Sequence, residues 1–512
     1  MKWNSTTLLM GAIGFGMIAV PTSAAAATVP VAGLRIGQSD IFLPNIDDDA
    51  GGCRSRARQL AADAVPREEA NEGRFQVRKE ELSQEPDQEN AEREFAELRR
   101  AHQWEQNQAD RDMAACNDAA DTVVNGPEDE TDLARLRIAA WTGAPDSAAG
   151  RLTVSAEAVE HVRLFIKRGQ WELVTGQTVI SGRELRQGAE LGIEGRDVVR
   201  DRAVWDGRAG VTLTVTAGRR VAQGTVQLRE APVLTQVNTQ RLQAILATGP
   251  SADSNVQQWH AVVNSAAQPT GGLRELDVQT EWMQDLFEPA YTSMPGPDGR
   301  PHGIRVLIKT ANDTHRVSAR VVFTDLAGPG VAALHIGHEP VVDEDGGNSY
   351  DTYDSMGNLE TIPPTPGHPS GQIIVGGDGV AGSPAGPAKE LLGLLRAQRG
   401  IQEVTRSTPP GWRSATSTSS SSSCPHRAAG SAGGPWSPIL TPGWGCCVNS
   451  RAADTARSRC TPICPPSNGR TTTRPTCAPS MSSWPTSSSW TRTGSPAAAS
   501  PPTSTSSSGR PG

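Results

Sequence analysis

At residue 406 the chain changes character, and that break limits what can fold. From Arg406 to Gly512 there are ten Arg, one acid (Asp454), no Lys and no Glu, set among runs of Ser, Thr, Pro, Gly and Trp. Neither helical nor strand periodicity runs through this stretch. Such a segment cannot bury enough apolar surface to offset the entropy lost on ordering it. A disordered low-complexity tail is therefore expected over 406–512, and the fold has to come from what precedes it. Of the chain's 48 basic and 56 acidic residues, 38 and 55 lie before the break, so this body carries a net charge of −17. That balance disfavours a nucleic-acid partner and favours cations, either metal ions or basic substrates.

The opening residues read as an address. Lys2 is followed by an apolar run from Leu8 to Val20 and by small residues from Ser23 to Ala27. That is the layout of a secretory signal peptide over 1–27, with an apolar core too short to span a bilayer. The mature chain is expected to be soluble and secreted, with no membrane partner. Cys53 and Cys116 are the only cysteines before the break. In an oxidising compartment they could form a disulfide or remain two thiols, and spacing alone leaves both open.

Along the body, Ile41-Phe42-Leu43 is a short apolar strand running into an acidic turn at Asn45–Asp49. Residues 55–113 are rich in Glu, Gln, Arg and Ala and read as one or two solvated helices, for example Asp87 to Gln106. A second acidic cluster follows, with Asn117, Asp118, Asp121, Glu128, Asp129, Glu130 and Asp132. From Leu152 to Val226 the pattern becomes strands, clearest at Val211-Thr212-Leu213-Thr214-Val215, and suits a small β-sandwich. Beyond Leu228 helical and strand segments mix. Pro387 to Gln398 reads as a short helix with Pro in its first turn, Gly400 after its last, and a buried face of Leu391, Leu392, Leu394 and Leu395.

Three stretches carry more specific information: Trp282-Met283-Gln284-Asp285-Leu286-Phe287-Glu288; Asp354-Ser355-Met356-Gly357-Asn358-Leu359-Glu360 with Pro363-Pro364; and the two acidic clusters. Together with Ala231-Pro232 and Asn238-Thr239-Gln240, they resemble the protein-arginine deiminases over roughly residues 40–404. Those are calcium-dependent enzymes that hydrolyse peptidyl-arginine to peptidyl-citrulline and ammonia. The resemblance implies an α+β chain, with an immunoglobulin-like β-sandwich over 28–227 that carries the helical insertion. An incomplete α/β-propeller of the pentein type follows over 228–405. It implies arginine-containing proteins or peptides as substrates.

The family's chemistry uses a cysteine thiolate that attacks the guanidinium carbon, a histidine acid–base, and two aspartates that grip the planar guanidinium. Asp285 matches the first aspartate; by itself it could equally be a helix-start or surface carboxylate. Trp282 matches the residue packing along the arginine stem. Arg316 matches, at a different spacing, the arginine that contacts the substrate backbone. The resemblance implies one Ca2+ beside the active centre, held by Gln284, Glu288 and Glu360 with the backbone carbonyls of Met356 and Leu359. Leu286 stands where a second family site has a carboxylate. Further Ca2+ sites in the β-domain would use Asn45, Asp47, Asp49, Asp118, Asp129, Asp132 and Glu194, although acidic turns are usually just solvated.

The family's histidine and second aspartate lie in a stretch like D-T-S-W-L-x-V-G-H-V-D-E-F, and its cysteine lies near the C-terminus. Neither motif is present. The first place is occupied by Ser407 to Ser419 followed by further Ser, Cys424 and Pro425. Written in G+C-rich codons and read from the third base, Ser407 to Cys424 becomes D-T-S-W-L-A-V-G-H-V-D-E-F-V-Q-F-L. The tail therefore reads as a frameshift product arising between about Gly400 and Ser407. This chain is expected to be inactive, the alternative role being a non-catalytic secreted protein that binds calcium or arginine side chains.

Overall fold

The computed structural model describes residues 33–406, apart from 38, 250–252, 279, 297–298, 313–314, 338–350, 378–385 and 399. The expected signal peptide and all of the expected tail after Arg406 lie outside the described residues.

Ten strands build the first part. They are β1 (Leu34–Ile36), β2 (Ile41–Phe42), β3 (Ala134–Ile138), β4 (Ala149–Val154), β5 (Val162–Arg168), β6 (Gln170–Leu173), β7 (Ile180–Ser181), β8 (Ala189–Gly195), β9 (Arg208–Ala217) and β10 (Arg220–Glu230). They form two five-stranded sheets, ordered β1-β3-β8-β5-β6 and β2-β10-β9-β4-β7. The β9–β10 hairpin shows why the sequence folds this way. Val211, Leu213 and Val215 alternate inward and are buried, while their neighbours face out. Ala217 pairs with Arg220, and between them Gly218 takes φ 62°, the left-handed backbone that a tight hairpin turn needs. Both sheets donate to one apolar cluster, which includes Phe42, Leu136, Leu164, Leu191 and Leu213.

Between β2 and β3 stand α1 (Cys53–Ser83), α2 (Gln88–Gln106), α3 (Gln108–Ala114) and the short α4 (Pro127–Asp132). The Asp87 carboxylate caps α2 by accepting from Asn90 N at 3.1 Å, as the sequence leads one to expect. A disulfide joins Cys53 to Cys116, with Cα atoms 5.5 Å apart, and so closes the insertion at its base.

The second part holds three small sheets. The first is β11 (Leu234–Thr235), β14 (Phe287–Pro295), β15 (Pro301–Lys309) and β16 (Val331–Leu334); β12 (Ile245–Thr248) pairs with β13 (Leu273–Leu276); and β17 (Leu359–Ile362), β18 (Gln372–Val375) and β19 (Glu403–Arg406) form the third. Its helices are α6 (Ser254–Ala267) and α7 (Lys389–Ala397), α5 being the single turn Gly182–Gln187 of the first part. The large apolar cluster runs on through Val306, Ile308, Leu359, Ile373, Leu391 and Leu395, so both parts share it. The architecture is mixed α+β. No helix among the described residues is long and apolar enough to cross a membrane.

Two expectations need correction. Helix α7 starts at Lys389, so Pro387 lies before its first turn. The cause is Ala388, whose backbone is extended and whose N–H is taken by the Asp354 carboxylate at 2.7 Å. The insertion is not simply solvated, because it carries buried charges that pair with the second part. Asp110 of α3 and Lys309 of β15 are both 0 % exposed and form an ion pair at 2.9 Å. Asp110 also accepts from Arg320 Nε at 2.6 Å, and Glu68 of α1 pairs with Arg320 and, at 3.0 Å, with Arg316. Burial pushes the Asp110 carboxyl up, but the charges of Lys309 and Arg320 prevail and hold it well below the usual range.

Candidate functional site

The first site grows from the Trp282–Glu288 stretch. Leu286 and Phe287 are buried against Leu276, Leu307 and Val322, and Thr310 N donates to Leu286 O at 2.9 Å. These contacts fix the end of a 3-10 turn at Met283–Asp285, in which Asp285 N donates to Trp282 O at 3.1 Å. Trp282 stays 60 % exposed, so its ring is free to lie against another molecule.

The second turn comes from the Asp354–Glu360 stretch and is brought against the first. Thr310 Oγ1 donates to Asp354 O at 2.7 Å, and Asn312 Nδ2 donates to Ser355 Oγ at 2.8 Å. Gly357 N then donates to Asp285 Oδ1 at 3.2 Å. A Cβ at position 357 would lie 2.4 Å from that same oxygen, so any larger residue would have to push the Asp285 carboxylate aside. The other oxygen, Asp285 Oδ2, lies 3.5 Å from His315 Nε2. Burial raises the Asp285 carboxyl above its ordinary value, opposed in part by His315 and by the Gly357 N–H. The His315 imidazole is pushed down, mainly by burial. Among the described residues His315 is the cationic group beside this half-buried carboxylate, and such a carboxylate is suited to a guanidinium, which would supply both charge and paired N–H donors.

Beside it, Gln284 Nε2 donates to Glu360 Oε1 at 2.7 Å, 76 residues apart in sequence. Glu288 is buried, and its carboxyl is raised well above the ordinary value by burial and by the nearby Glu360. Glu360 is itself raised by burial. Two acids thus crowd together beside the Gln284 amide, where an extra positive charge would be stabilising. The side chains of Met356 and Leu359 are buried in the core, which leaves only their backbones to contribute. The Met356 carbonyl already accepts the turn bond from Leu359 N and retains a second lone pair.

The second site is the acidic cluster of the first part. Asn45, Asp47, Asp118, Asp129, Asp132 and Glu194 are all buried. Asn45 Nδ2 donates to Asp129 Oδ1 at 2.8 Å and to Glu194 Oε2 at 2.9 Å. One oxygen from each of Asp47, Asp49 and Asp132 lies within 4.8 Å of the others. Asn45 Oδ1, Asp47 Oδ1 and Asp49 Oδ2 are buried and accept no hydrogen bond. Burial first, and mutual repulsion second, push Asp47 up to about 8 and Asp49 to about 7. Glu194 rises to about 8 and Asp118 to about 6, with burial again the leading cause. Orphaned oxygens and unneutralised charge of this kind fit a hard cation with oxygen ligands. The cluster also touches the second part, because Gly330 N donates to Asp47 Oδ2 at 2.6 Å and His302 Nε2 bonds Asp132 Oδ1.

The structure therefore gathers Gln284, Asp285, Glu288, Glu360 and the turn at Met356–Leu359 in one place, and Asn45, Asp47, Asp49, Asp118, Asp129, Asp132 and Glu194 in another. Arg316 goes elsewhere: it is buried, with Nη1 bonded to Glu68 and to Gln106 O at 2.8 Å. Its guanidinium is thus engaged with the helical insertion. His315 escaped the sequence reading; its only signal was its place beside Arg316.

Residues 220–412 match the protein-arginine deiminase (PAD) family model. The similarity read from Trp282–Glu288 and Asp354–Glu360 thus stands over a segment that contains both. Comparison with curated proteins finds no match.

Proposed function

We propose that this chain carries the substrate-gripping half of a calcium-dependent protein-arginine deiminase centre, and that as written it binds peptidyl-arginine without hydrolysing it. The observation that carries this reading is the meeting of the two turns, through Gly357 N on Asp285 Oδ1 and Gln284 on Glu360. Asp285 would accept the guanidinium N–H groups and Trp282 would cover the aliphatic stem. Calcium would be held by Gln284, Glu288, Glu360 and the carbonyls of Met356 and Leu359, where it would neutralise two crowded acids and order the turn that positions Asp285. Further calcium would sit among Asn45, Asp47, Asp49, Asp118, Asp129, Asp132 and Glu194. In the finer fold, the two five-stranded sheets form an immunoglobulin-like sandwich, and the small sheets form part of a propeller. The chain is secreted.

Hydrolysis would further require a thiolate to attack the guanidinium carbon and an imidazole to protonate the departing ammonia and activate water. The family sequences that supply them do not occur in this chain after Arg406, where the shifted reading recovers one of them. His315 lies beside Asp285, but no thiol accompanies it among the described residues. An arginine peptide with calcium should yield no citrulline in a colorimetric assay, yet should bind in equilibrium dialysis, with binding lost in Asp285→Asn. Citrulline production would overturn the inactive reading, and equal peptide binding by Asp285→Asn would overturn the gripping role.

A further inference from the structure

The disulfide occupies a specific place relative to the acidic cluster. Cys53 follows Asp49 by four residues, and Cys116 precedes Asp118 by two. The two chain segments that supply most of the carboxylates are therefore covalently joined just outside the cluster. Asp48 is buried and reinforces the joint: its Oδ2 accepts from Cys53 N at 2.8 Å and its Oδ1 from Gly52 N at 3.2 Å. Asp118 N donates to Asp47 O at 2.9 Å, Ala119 N to Asn45 O at 2.8 Å, and Asp49 N to Asp118 Oδ2 at 2.7 Å.

These bonds must hold against the mutual repulsion of Asp47, Asp49, Asp118, Asp129 and Asp132. Without the bridge, the segments are linked through a 63-residue excursion over α1, α2 and α3. A tether that long contributes little to keeping two segments together, because loop closure costs entropy that grows with length. The covalent bond removes that cost.

We propose that the Cys53–Cys116 disulfide is a positioning element for the cation cluster, and that its reduction weakens calcium binding there while leaving the rest of the fold in place. This rests on reading the cluster as a calcium site. The step is a two-electron reduction by a dithiol: the S–S bond breaks, each sulfur gains a proton and an electron, and the dithiol closes to its own disulfide. By linkage, calcium must in turn resist that reduction by the same factor.

The test uses the full chain. Calcium is titrated calorimetrically into oxidised protein, into protein reduced with dithiothreitol, and into Cys53→Ser/Cys116→Ser, which separates this bridge from the six cysteines after Arg406. Calcium should bind the reduced and double-variant forms about tenfold or more weakly than the oxidised form. As a second readout on unmodified protein, mass spectrometry of the Cys53 and Cys116 peptides should show calcium shifting the dithiothreitol equilibrium towards the disulfide by the same factor. Failure of the oxidised protein to bind calcium at the cluster would remove the calcium reading itself. Equal affinities with and without the bridge, or no calcium effect on the thiol equilibrium, would overturn the positioning role alone. Loss of the cooperative melt on reduction would overturn it too, because the bridge would then hold the whole fold.

Discussion

Six carboxylates (Asp47, Asp49, Asp118, Asp129, Asp132 and Glu194) crowd the acidic cluster, and this sets a pH dependence. Free aspartate and glutamate titrate near 4. In the fold, Asp118 is raised to about 6, Asp49 to about 7, and Asp47 and Glu194 to about 8. A raised carboxyl binds its proton more tightly folded than unfolded. Its stabilising contribution is therefore complete below about pH 4 and disappears as pH climbs through 6 to 8. In chelator the melting temperature should fall between about pH 5 and pH 8. Saturating calcium, by holding the ionised carboxylates, should flatten or reverse that fall. A scanning-fluorimetry series in EDTA and in calcium checks both halves. Indistinguishable curves would mean that the cluster holds no calcium.

At the scale of elements, the helical insertion shows what pattern reading can and cannot see. Helix α2 was legible from its run of charged helix formers, and β9–β10 because apolar and polar residues alternate. Helix α1 was not. Only Ala57, Ala64 and Leu82 are buried along its 31 residues, and Pro66 interrupts them, so no apolar stripe marks a buried face. What α1 and α3 bury is charge, in Glu68 and Asp110, and the partners Lys309, Arg316 and Arg320 lie about 200 to 250 residues further along the chain. Periodicity says nothing about such pairs. Arg316 was singled out by resemblance alone, at a different spacing, and nothing in its own sequence context announced its pairing with Glu68. The Trp282–Glu288 and Asp354–Glu360 stretches, by contrast, stood out through their resemblance to a family, and the structure brings Gln284, Asp285, Gly357 and Glu360 together there. The energetic consequence for the insertion can be measured. Asp110→Asn leaves Lys309 buried without its counter-charge, and such a change typically costs about 3–5 kcal/mol. Urea melts should show that loss, whereas replacing Asp110 and Lys309 together with Leu and Met should cost markedly less. A loss under about 1 kcal/mol for Asp110→Asn would mean that the pair is not dry.

For the molecule as a whole, the question is whether the second part can stand alone. Its strands β14 to β18 and helix α7 donate to an apolar cluster whose remaining members, among them Phe42, Val198 and Leu228, belong to the first part. Gln398 ties the two together, accepting from Val233 N at 3.0 Å and donating to Val199 O at 3.0 Å. On another face, Leu286, Phe287 and Val322 pack with Ala57, Ala64 and Met113 of the insertion, over the buried ion pairs. Cutting the chain before Arg229 would open both faces to water and leave Lys309, Arg316 and Arg320 buried or half-buried without their acids. Exposed core and unpaired charge act in the same direction, and neither small sheet nor short helix has a private core to fall back on. Residues 229–404 expressed alone should therefore give no cooperative urea or thermal transition and should bind a hydrophobic dye. Residues 28–404 should melt cooperatively, since they retain both faces and their partners. A sharp transition for 229–404 alone would mean that the shared core contributes less to the second part than its own three sheets do.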